Sequence, residues 1–599
     1  MLRCDFHPGE ARAGGGVLWF GEPVRTVVAT TVEQVLPALR EVDAACADGL
    51  WATGFVTYDA APAFDAAFTV PGRRREDDLP LVWFGLHAAP LDRPAPASGD
   101  ITIPGPWRAS VGREAYEVAF DTVQAAVRRG ETYQTNLTLP LTAAWDDGAD
   151  DLGRYERLLV AQGDAFGAYL DLGRHHVLSV SPELFFARRG TMITTRPMKG
   201  TARRGRSGAE DDERLAGLLA SGKDRAENVM ITDLLRNDLG RLARAGSVDV
   251  PALCVPERYP TVWQLTSTVT AEVPPTTGLT DLFGALFPCG SVTGAPKVST
   301  MGLISRLEPH ARGLYCGAVG VVAPGGDATF SVAIRTLVAD TTARTATYAV
   351  GSGVTVDSTA AGEHDELLAK AAVLTAPARP DFDLLETLRL EDGAWWALDE
   401  HLHRLAASAA YFARADPLAG ARDALDEVLR MHPDGRWRVR LTVGERGVAE
   451  ASVEPLPLDP DGPLTLVLAA APVDEQDVFL AHKTTWRKPY APHRASAAAR
   501  GADDALLWNS RGELTETTIG SVALRDGDAW WTPPVSCGLL PGVERELALR
   551  DGRLRERVLT VAGVREALAR GGELWFLNSV RGWRRAELRD HDPEPRHAP

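Results

Sequence analysis

The stretch RTATYAVGSGVTVDSTAAGEHDELLAKAAVL, residues 344–374, decides the fold class. Its first eleven residues alternate polar or small with apolar side chains, the period of a half-buried strand, and AAGEHDELLAKAAVL then switches to helical spacing. Glu363, Glu366 and Lys370 fall at i, i+3 and i+7 and so share one helical face. Read alone, they are a solvated face carrying a Glu366–Lys370 pair worth about 0.2–0.5 kcal/mol. Alternatively, the carboxylates serve Mg²⁺, which takes few protein carboxylates and completes its shell with a bound oxyanion. Directly afterwards TAPARPD (375–381) sets two prolines between this helix and a new alternating run, FDLLETLRL (382–390). We place a domain boundary there, with units at 1–376 and 382–599 and a linker at 377–381.

Working outward, HHVLSV (175–180), TMITTRP (191–197) and ATFSVAIRTLV (328–338) read as strands, and Tyr116–Arg129 and Lys223–Arg244 as helices. In the second unit LTLVLAA, ADDALLWN, SVALRDGDAWWT and GELWFLN read as strands separated by short helices. Both units are therefore expected to be α+β.

The chain has 599 residues, 45% of them hydrophobic, and a formal charge of −17, enough apolar material for several cores and the wrong sign for a polyanion partner. No apolar run is long enough for a membrane helix, and the first twenty residues lack a basic-then-apolar leader, so a cytoplasmic location is expected. The six cysteines form no Cys-x-x-Cys pair, which indicates neither a disulfide framework nor structural zinc. Only six lysines occur, Lys199, Lys223, Lys297, Lys370, Lys483 and Lys488, against 58 arginines. Arginine supplies charge but cannot become a nucleophile or form an imine, so each lysine is enriched for positions that need an amine.

Glu227 precedes Met230 and Ile231 by three and four residues on one face of its helix, and a carboxylate on a buried stripe needs a cation. CGSVTGAPK (289–297) has the wrong spacing for a nucleotide loop, and Pro296 removes an amide donor, although amides around Gly290–Gly294 can cup a carboxylate. In the second unit, Lys483 could form an imine, Glu516 could pair with a pyridinium nitrogen, and Arg404 could hold a phosphate. Taken singly these are weak signals, and each reads first as a surface lysine, a surface carboxylate or a helix-face arginine.

Seven strings, SPELFF (181–186), RPMKGTARRG (196–205), KDRAENVMITDLLRNDLGRL (223–242), FPCGSVTGAPK (287–297), RGLYCGAVG (312–320), SVAIRT (331–336) and the run through Glu363, Glu366 and Lys370, resemble in the same order the chorismate-utilising enzymes. Lys199 in P-x-K-G-T, where anthranilate and isochorismate synthases usually carry Ala, makes the resemblance one to the members that form 4-amino-4-deoxychorismate. The resemblance implies a two-layer β-sheet sandwich with flanking helices. It implies Lys199 as a covalent nucleophile adding to C2 of chorismate, and Glu183 as the general acid/base. Glu227 and Glu366 would be direct Mg²⁺ ligands, with Glu363 acting through water. Tyr315, Arg335, Gly353, Lys370 and Ser291 would bind substrate. Gln134 stands where isochorismate-type members keep a Lys base, which disfavours water activation, and Gln264 stands where the family commonly has a His near the departing hydroxyl. No Gly-x-Cys-x-Gly elbow is present to release ammonia, so a separate glutamine amidotransferase subunit is the implied partner.

FDLLETLRL, LDEHLHRLAASA, AHKTTWRKPY, LLWNSRGELTETT, TPPVSCGLLPG and FLNSVRG likewise resemble the fold-type IV pyridoxal-phosphate enzymes, the aminodeoxychorismate lyases in particular. That resemblance implies two α/β subdomains, pyridoxal 5'-phosphate, Lys483 as Schiff-base lysine and proton-transfer base, and Glu516 as pyridine-nitrogen partner. Arg404 and the backbone near Thr517, Thr518 and Val543 would hold the phosphate, and a homodimer through this unit is one arrangement it allows. Ser521 replaces a usual Asn, and Glu544 replaces a residue that is often Thr beside the phosphate. An acid near a dianion is unfavourable, so Glu544 is expected to point outward. The combined expectation is a bifunctional route from chorismate and ammonia to 4-aminobenzoate. Its alternatives are an anthranilate- or isochorismate-type synthase fused to an aminotransferase, and a synthase carrying a non-catalytic module.

Overall fold

A computed structural model describes residues 1–599 except 13–15, 73–76, 93–100, 147–149, 164, 376–380, 459–461 and 590–599. Most of the expected linker, 377–380, lies outside the described residues. The chain divides into two compact units, Met1–Arg203 with Leu215–Arg379, and Arg204–Arg214 with Pro380–Pro599.

The first unit stacks two sheets. Among the described residues one has nine strands, with Gln134–Ala144, Thr345–Val354, Thr336–Asp340 and His175–Ser181 side by side at its centre. The other has ten strands and carries Leu184–Arg189, Met192–Arg196, Met198–Arg203 and Val262–Glu272. Leu2, Phe166, Leu170 and Val177 from one layer meet Phe55, Leu184, Val319 and Val321 from the other in an apolar core between them. The outer faces are covered by helices. Arg113–Arg128, Asp151–Gln162 and Ala360–Ala371 lie on the nine-stranded sheet. Val32–Ala47, Gly222–Gly240 and Leu279–Leu286 lie on the ten-stranded one. This is the α+β sandwich the alternating strands and amphipathic helices call for.

Sequence periodicity reads ATFSVAIRTLV as one strand, and the structure divides it. Ala328–Val332 belongs to the ten-stranded sheet and Thr336–Asp340 to the nine-stranded one. Residues 333–335 cross between layers, and Arg335 takes a left-handed backbone with φ 51° to make the corner. Apolar alternation is preserved through the switch because both layers face the same core, so the period alone could not reveal it.

The second unit has a four-stranded antiparallel sheet, containing Leu384–Glu391 and Arg436–Val443, packed on helices Leu398–Tyr411 and Leu418–Met431. Among the described residues its other sheet has eight strands, mixed in direction. Leu464–Leu468 runs parallel to both Asp504–Trp508 and Gly582–Arg589, while the remaining neighbours, apart from one short edge pair, are antiparallel. SVALRDGDAWWT forms a hairpin, Ser521–Asp526 and Ala529–Thr532, turned at Gly527 with φ 63°.

Candidate active sites

In the first unit the candidate residues converge on the end of the strand Thr345–Val354. Glu183 sits in the short link between His175–Ser181 and Leu184–Arg189, buried, and accepts a 2.5 Å hydrogen bond on Oε1 from the Ser291 hydroxyl. Ser291 is supplied by the turn Gly290–Val292, and the Cys289 thiol lies 3.1 Å from its oxygen. Burial pushes the Glu183 carboxyl up to about 7, against the pull of Ser291, Lys199 and Lys370. A carboxyl poised there can both give and take a proton at neutral pH.

Lys199 projects from the strand Met198–Arg203 toward Gly353, whose missing Cβ would stand 3.4 Å from its Nζ and 2.4 Å from Gln134 Nε2. A Cβ at Gly353 would therefore displace the Gln134 amide and touch the Lys199 amine. Lys199 is within electrostatic reach of Glu183, Glu227 and Glu366. Two residues before Gly353, the Tyr315 hydroxyl packs against Gly351, where a Cβ would meet it at 2.7 Å. Lys370 donates to the Gly351 carbonyl across 2.8 Å and pairs with Glu366 at 2.6 Å. Burial pulls the Lys370 amine below its ordinary range despite Glu366, and Lys370 in turn holds Glu366 down against desolvation. The Arg335 guanidinium caps the same helix by donating to the Lys370 carbonyl at 2.7 Å.

Gln134 is the residue whose importance sequence reasoning undervalued. It is fully buried beside Lys199 and Gly353, and both atoms of its amide are without a hydrogen-bond partner among the described residues. Such an amide is costly unless a ligand satisfies it. The sequence marked Gln134 only as the replacement of a Lys base, with no sign that its amide would be buried without partners. Gln264 pairs opposite Thr201 and accepts from its hydroxyl at 2.8 Å.

The three carboxylates expected around Mg²⁺ are not equivalent. Glu363 is buried and its Oε2 has no hydrogen-bond partner among the described residues. Desolvation raises the Glu227 carboxyl, with Lys199 and Lys223 opposing and Asp224 and Glu363 adding to the rise. Glu366 is committed to Lys370. Among the described residues no three His, Cys, Asp or Glu side chains form a ready-made metal cluster. The partnerless Glu363 oxygen, within electrostatic reach of Glu227, fits a divalent cation that draws its other ligands from substrate and water.

In the second unit Lys483 follows the short helix Val478–Ala481, and its carbonyl accepts from Leu385 N at 3.0 Å. Burial, reinforced by Arg404 and Arg487, lowers its amine to about 8, while Glu386 and Glu516 oppose the shift. Glu516, buried on the strand Leu514–Thr517, accepts from Tyr490 Oη at 2.9 Å and from Leu540 N at 3.2 Å, both on Oε1. Burial raises its carboxyl to about 7.

Arg404 donates through Nε and Nη2 to the two oxygens of Glu386, at 2.8 and 2.7 Å, and through Nη1 to the Pro541 carbonyl. Glu386 also receives His401 Nδ1 at 2.6 Å, and although burial works to raise it, Arg404 and His401 hold it down to about 2. Three of the five guanidinium protons are thus committed, leaving two for a phosphate. The Thr517 hydroxyl and backbone N–H both donate to the Gly520 carbonyl and the Thr518 hydroxyl donates to Asp504, so of these donors only the Thr518 amide remains to offer. Val543 begins the helix Val543–Arg550, whose first amides have no partner within the helix.

Glu544 does not point outward. It is 5% exposed, and its two oxygens accept from the indoles of Trp396, at 3.2 Å, and Trp583, at 2.9 Å. Two indole donors compensate its burial, which the sequence could not indicate because they come from positions 148 and 39 residues away.

Sandwich fold and converging site together define a chorismate-binding protein, and the model of the chorismate binding enzymes matches residues 17–376: the chain belongs to that family. The class IV aminotransferase model matches residues 383–587. Aminodeoxychorismate synthase component 1 of Klebsiella aerogenes is 39% identical over 320 residues, covering 52% of this chain and 68% of that protein. Its counterpart from Escherichia coli strain K12 is 40% identical over 271 residues, covering 45% and 59%. The crystal structure of anthranilate synthase component I from Streptococcus pneumoniae superposes with TM-score 0.52 at 25% identity, over 60% of this chain and 91% of that one.

Proposed function

We propose that the protein makes 4-aminobenzoate from chorismate and ammonia in two steps, one in each unit. The observation that carries the first step is the Lys199 amine, held among three carboxylates beside Gly353 and the unpartnered Gln134 amide. Lys199 adds to C2 of chorismate as the C4 hydroxyl departs, taking a proton from Glu183. Ammonia then forms its bond at C4 and Lys199 leaves, giving 4-amino-4-deoxychorismate. Glu183 recovers a proton from the added amine. Tyr315, Arg335, Lys370 and the amides around Gly353 hold the substrate carboxylates. Mg²⁺, held by Glu227 and Glu363, with Glu366 once it releases Lys370, would neutralise carboxylate charge on the substrate. Ammonia is mostly ammonium at neutral pH and cannot attack, so a glutamine amidotransferase subunit is the partner that supplies the free base.

The residues of the second unit suit pyridoxal 5'-phosphate: a lysine with a depressed amine, a buried carboxylate with one oxygen left over, and a helix start beside an arginine. The bound cofactor supplies an electron sink for the carbanion formed at C4. Lys483 takes the C4 proton, Glu516 holds the proton on the ring nitrogen, and Arg404 and the Val543 amide orient the phosphate. Loss of the enolpyruvyl group as pyruvate leaves the aromatic product.

Mass spectrometry of products from chorismate, Mg²⁺ and ammonium at mildly alkaline pH, with and without a glutamine amidotransferase, tests both steps. 4-Aminobenzoate and pyruvate in equal amounts are expected. Anthranilate as the product would overturn the first assignment, and accumulation of aminodeoxychorismate in the presence of bound cofactor would overturn the second.

A further inference from the structure

We infer that Tyr490 is a positioning residue for Glu516, presenting the second carboxylate oxygen to the ring nitrogen of the cofactor; this rests on the pyridoxal-phosphate reading above. Tyr490 Oη and Leu540 N both donate to Oε1 of Glu516, at 2.9 and 3.2 Å. Oε2 receives no hydrogen bond among the described residues and is not among the fully enclosed unsatisfied atoms, so it keeps accessible surface and can accept one. A carboxylate fixed at one oxygen by two donors keeps its other oxygen in a single orientation, which is the condition for a directed hydrogen bond to a heterocyclic N–H. Leu540 N is a backbone donor and leaves Tyr490 as the only side chain donating to Glu516 among the described residues.

Tyr490 is itself immobilised. It is 4% exposed, ends the turn that follows Lys483, and lies beneath the Arg487 guanidinium, 4.0 Å from its ring. Arg487 donates to the Thr518 carbonyl, so the Tyr490 ring is clamped between its own turn and the strand end that carries Glu516. The charged groups that face Glu516 are Arg487 and Lys483, and Asp477 lies within reach of the Tyr490 hydroxyl. Both cations favour the carboxylate, whereas burial opposes it. The Tyr490 hydrogen bond favours the ionised form of Glu516 against its burial, and so favours placing the proton it shares with the cofactor on the ring nitrogen.

Tyr490→Phe in the full chain tests this, because it keeps the ring and its packing and removes only the donor. With ¹⁵N-labelled pyridoxal phosphate, the ring-nitrogen resonance of the variant should move from the protonated toward the unprotonated position, in the direction of Glu516→Gln measured alongside. Its affinity for the cofactor at pH 7 should fall by about tenfold to a hundredfold, the range set by a hydrogen bond to a charged group. Tyr490→His, which can again donate, should restore part of the resonance shift. If Tyr490→Phe binds the cofactor as the parent does and its nitrogen resonance is unchanged, Tyr490 has a packing role only and the inference is overturned. If the parent protein itself binds no cofactor, it is the underlying reading that fails.

Discussion

The Ser291 hydroxyl and the Glu183 carboxylate, joined by a 2.5 Å hydrogen bond, tie the turn of FPCGSVTGAPK to the link between two strands that lie in different sheets. This contact sets the acidity of the candidate acid/base. A hydroxyl that donates stabilises the ionised form and lowers the pKa, while burial raises it to about 7. Ser291→Ala removes the lowering contribution. The limb of the pH–rate profile for aminodeoxychorismate formation that requires ionised Glu183 should therefore move to higher pH. Glu183→Gln should reduce the rate by about 10²–10⁴-fold. An unmoved limb in Ser291→Ala would falsify the assignment of that limb to Glu183.

Incubating the protein with chorismate and Mg²⁺ without ammonia should trap the added carbon skeleton on the tryptic peptide that contains Lys199. Lys199→Ala should lose both the adduct and aminodeoxychorismate formation. Retained turnover in Lys199→Ala would mean that an external nucleophile does the work.

Gly353→Ala places a methyl group 2.4 Å from the present position of Gln134 Nε2, so the amide beside Lys199 must move. We expect a thermal midpoint close to that of the parent and a chorismate KM raised at least about tenfold, since misplacement by about 1 Å at a reacting centre is expensive. A large loss of thermal stability with unchanged KM would show that the glycine serves the sheet and not the site.

The Lys483 amine, lowered by burial to about 8, is nucleophilic only as the free base. The rate at which added pyridoxal phosphate develops its protein-bound absorbance should therefore rise with pH and level off above about 8, well below an ordinary lysine. Lys483→Ala should abolish the borohydride-sensitive band. A rate still climbing steeply at pH 10 would contradict the buried placement.

Glu544→Leu leaves the indole N–H groups of Trp396 and Trp583 without acceptors, at a cost of about 1–3 kcal/mol for each that stays buried. Glu544→Gln keeps an acceptor and should be nearer neutral. Urea unfolding of the two variants measures the difference; equal stabilities would mean that water replaces the carboxylate.

Much of this was legible in the sequence because short-range pattern carries it. Alternation marked the strand over 345–354, helical spacing put Glu363, Glu366 and Lys370 on one helix, and lysine scarcity singled out Lys199 and Lys483. Long-range relations were not legible. The layer switch at Arg335 keeps the apolar period on both sides, so nothing local announces it. The inward turn of Glu544 depends on two tryptophans far away in the chain, and the burial that leaves a Glu363 oxygen without a partner among the described residues depends on what packs against its helix.

The chemical repertoire, two amines and the carboxyls that serve them, is written in residue identity and spacing, because a nucleophile's reactivity begins with its functional group. Which carboxyl is free, which is paired, and which proton is shifted toward neutrality was decided only when strands distant in the chain came together, because desolvation and hydrogen bonding are properties of surroundings that no single segment contains.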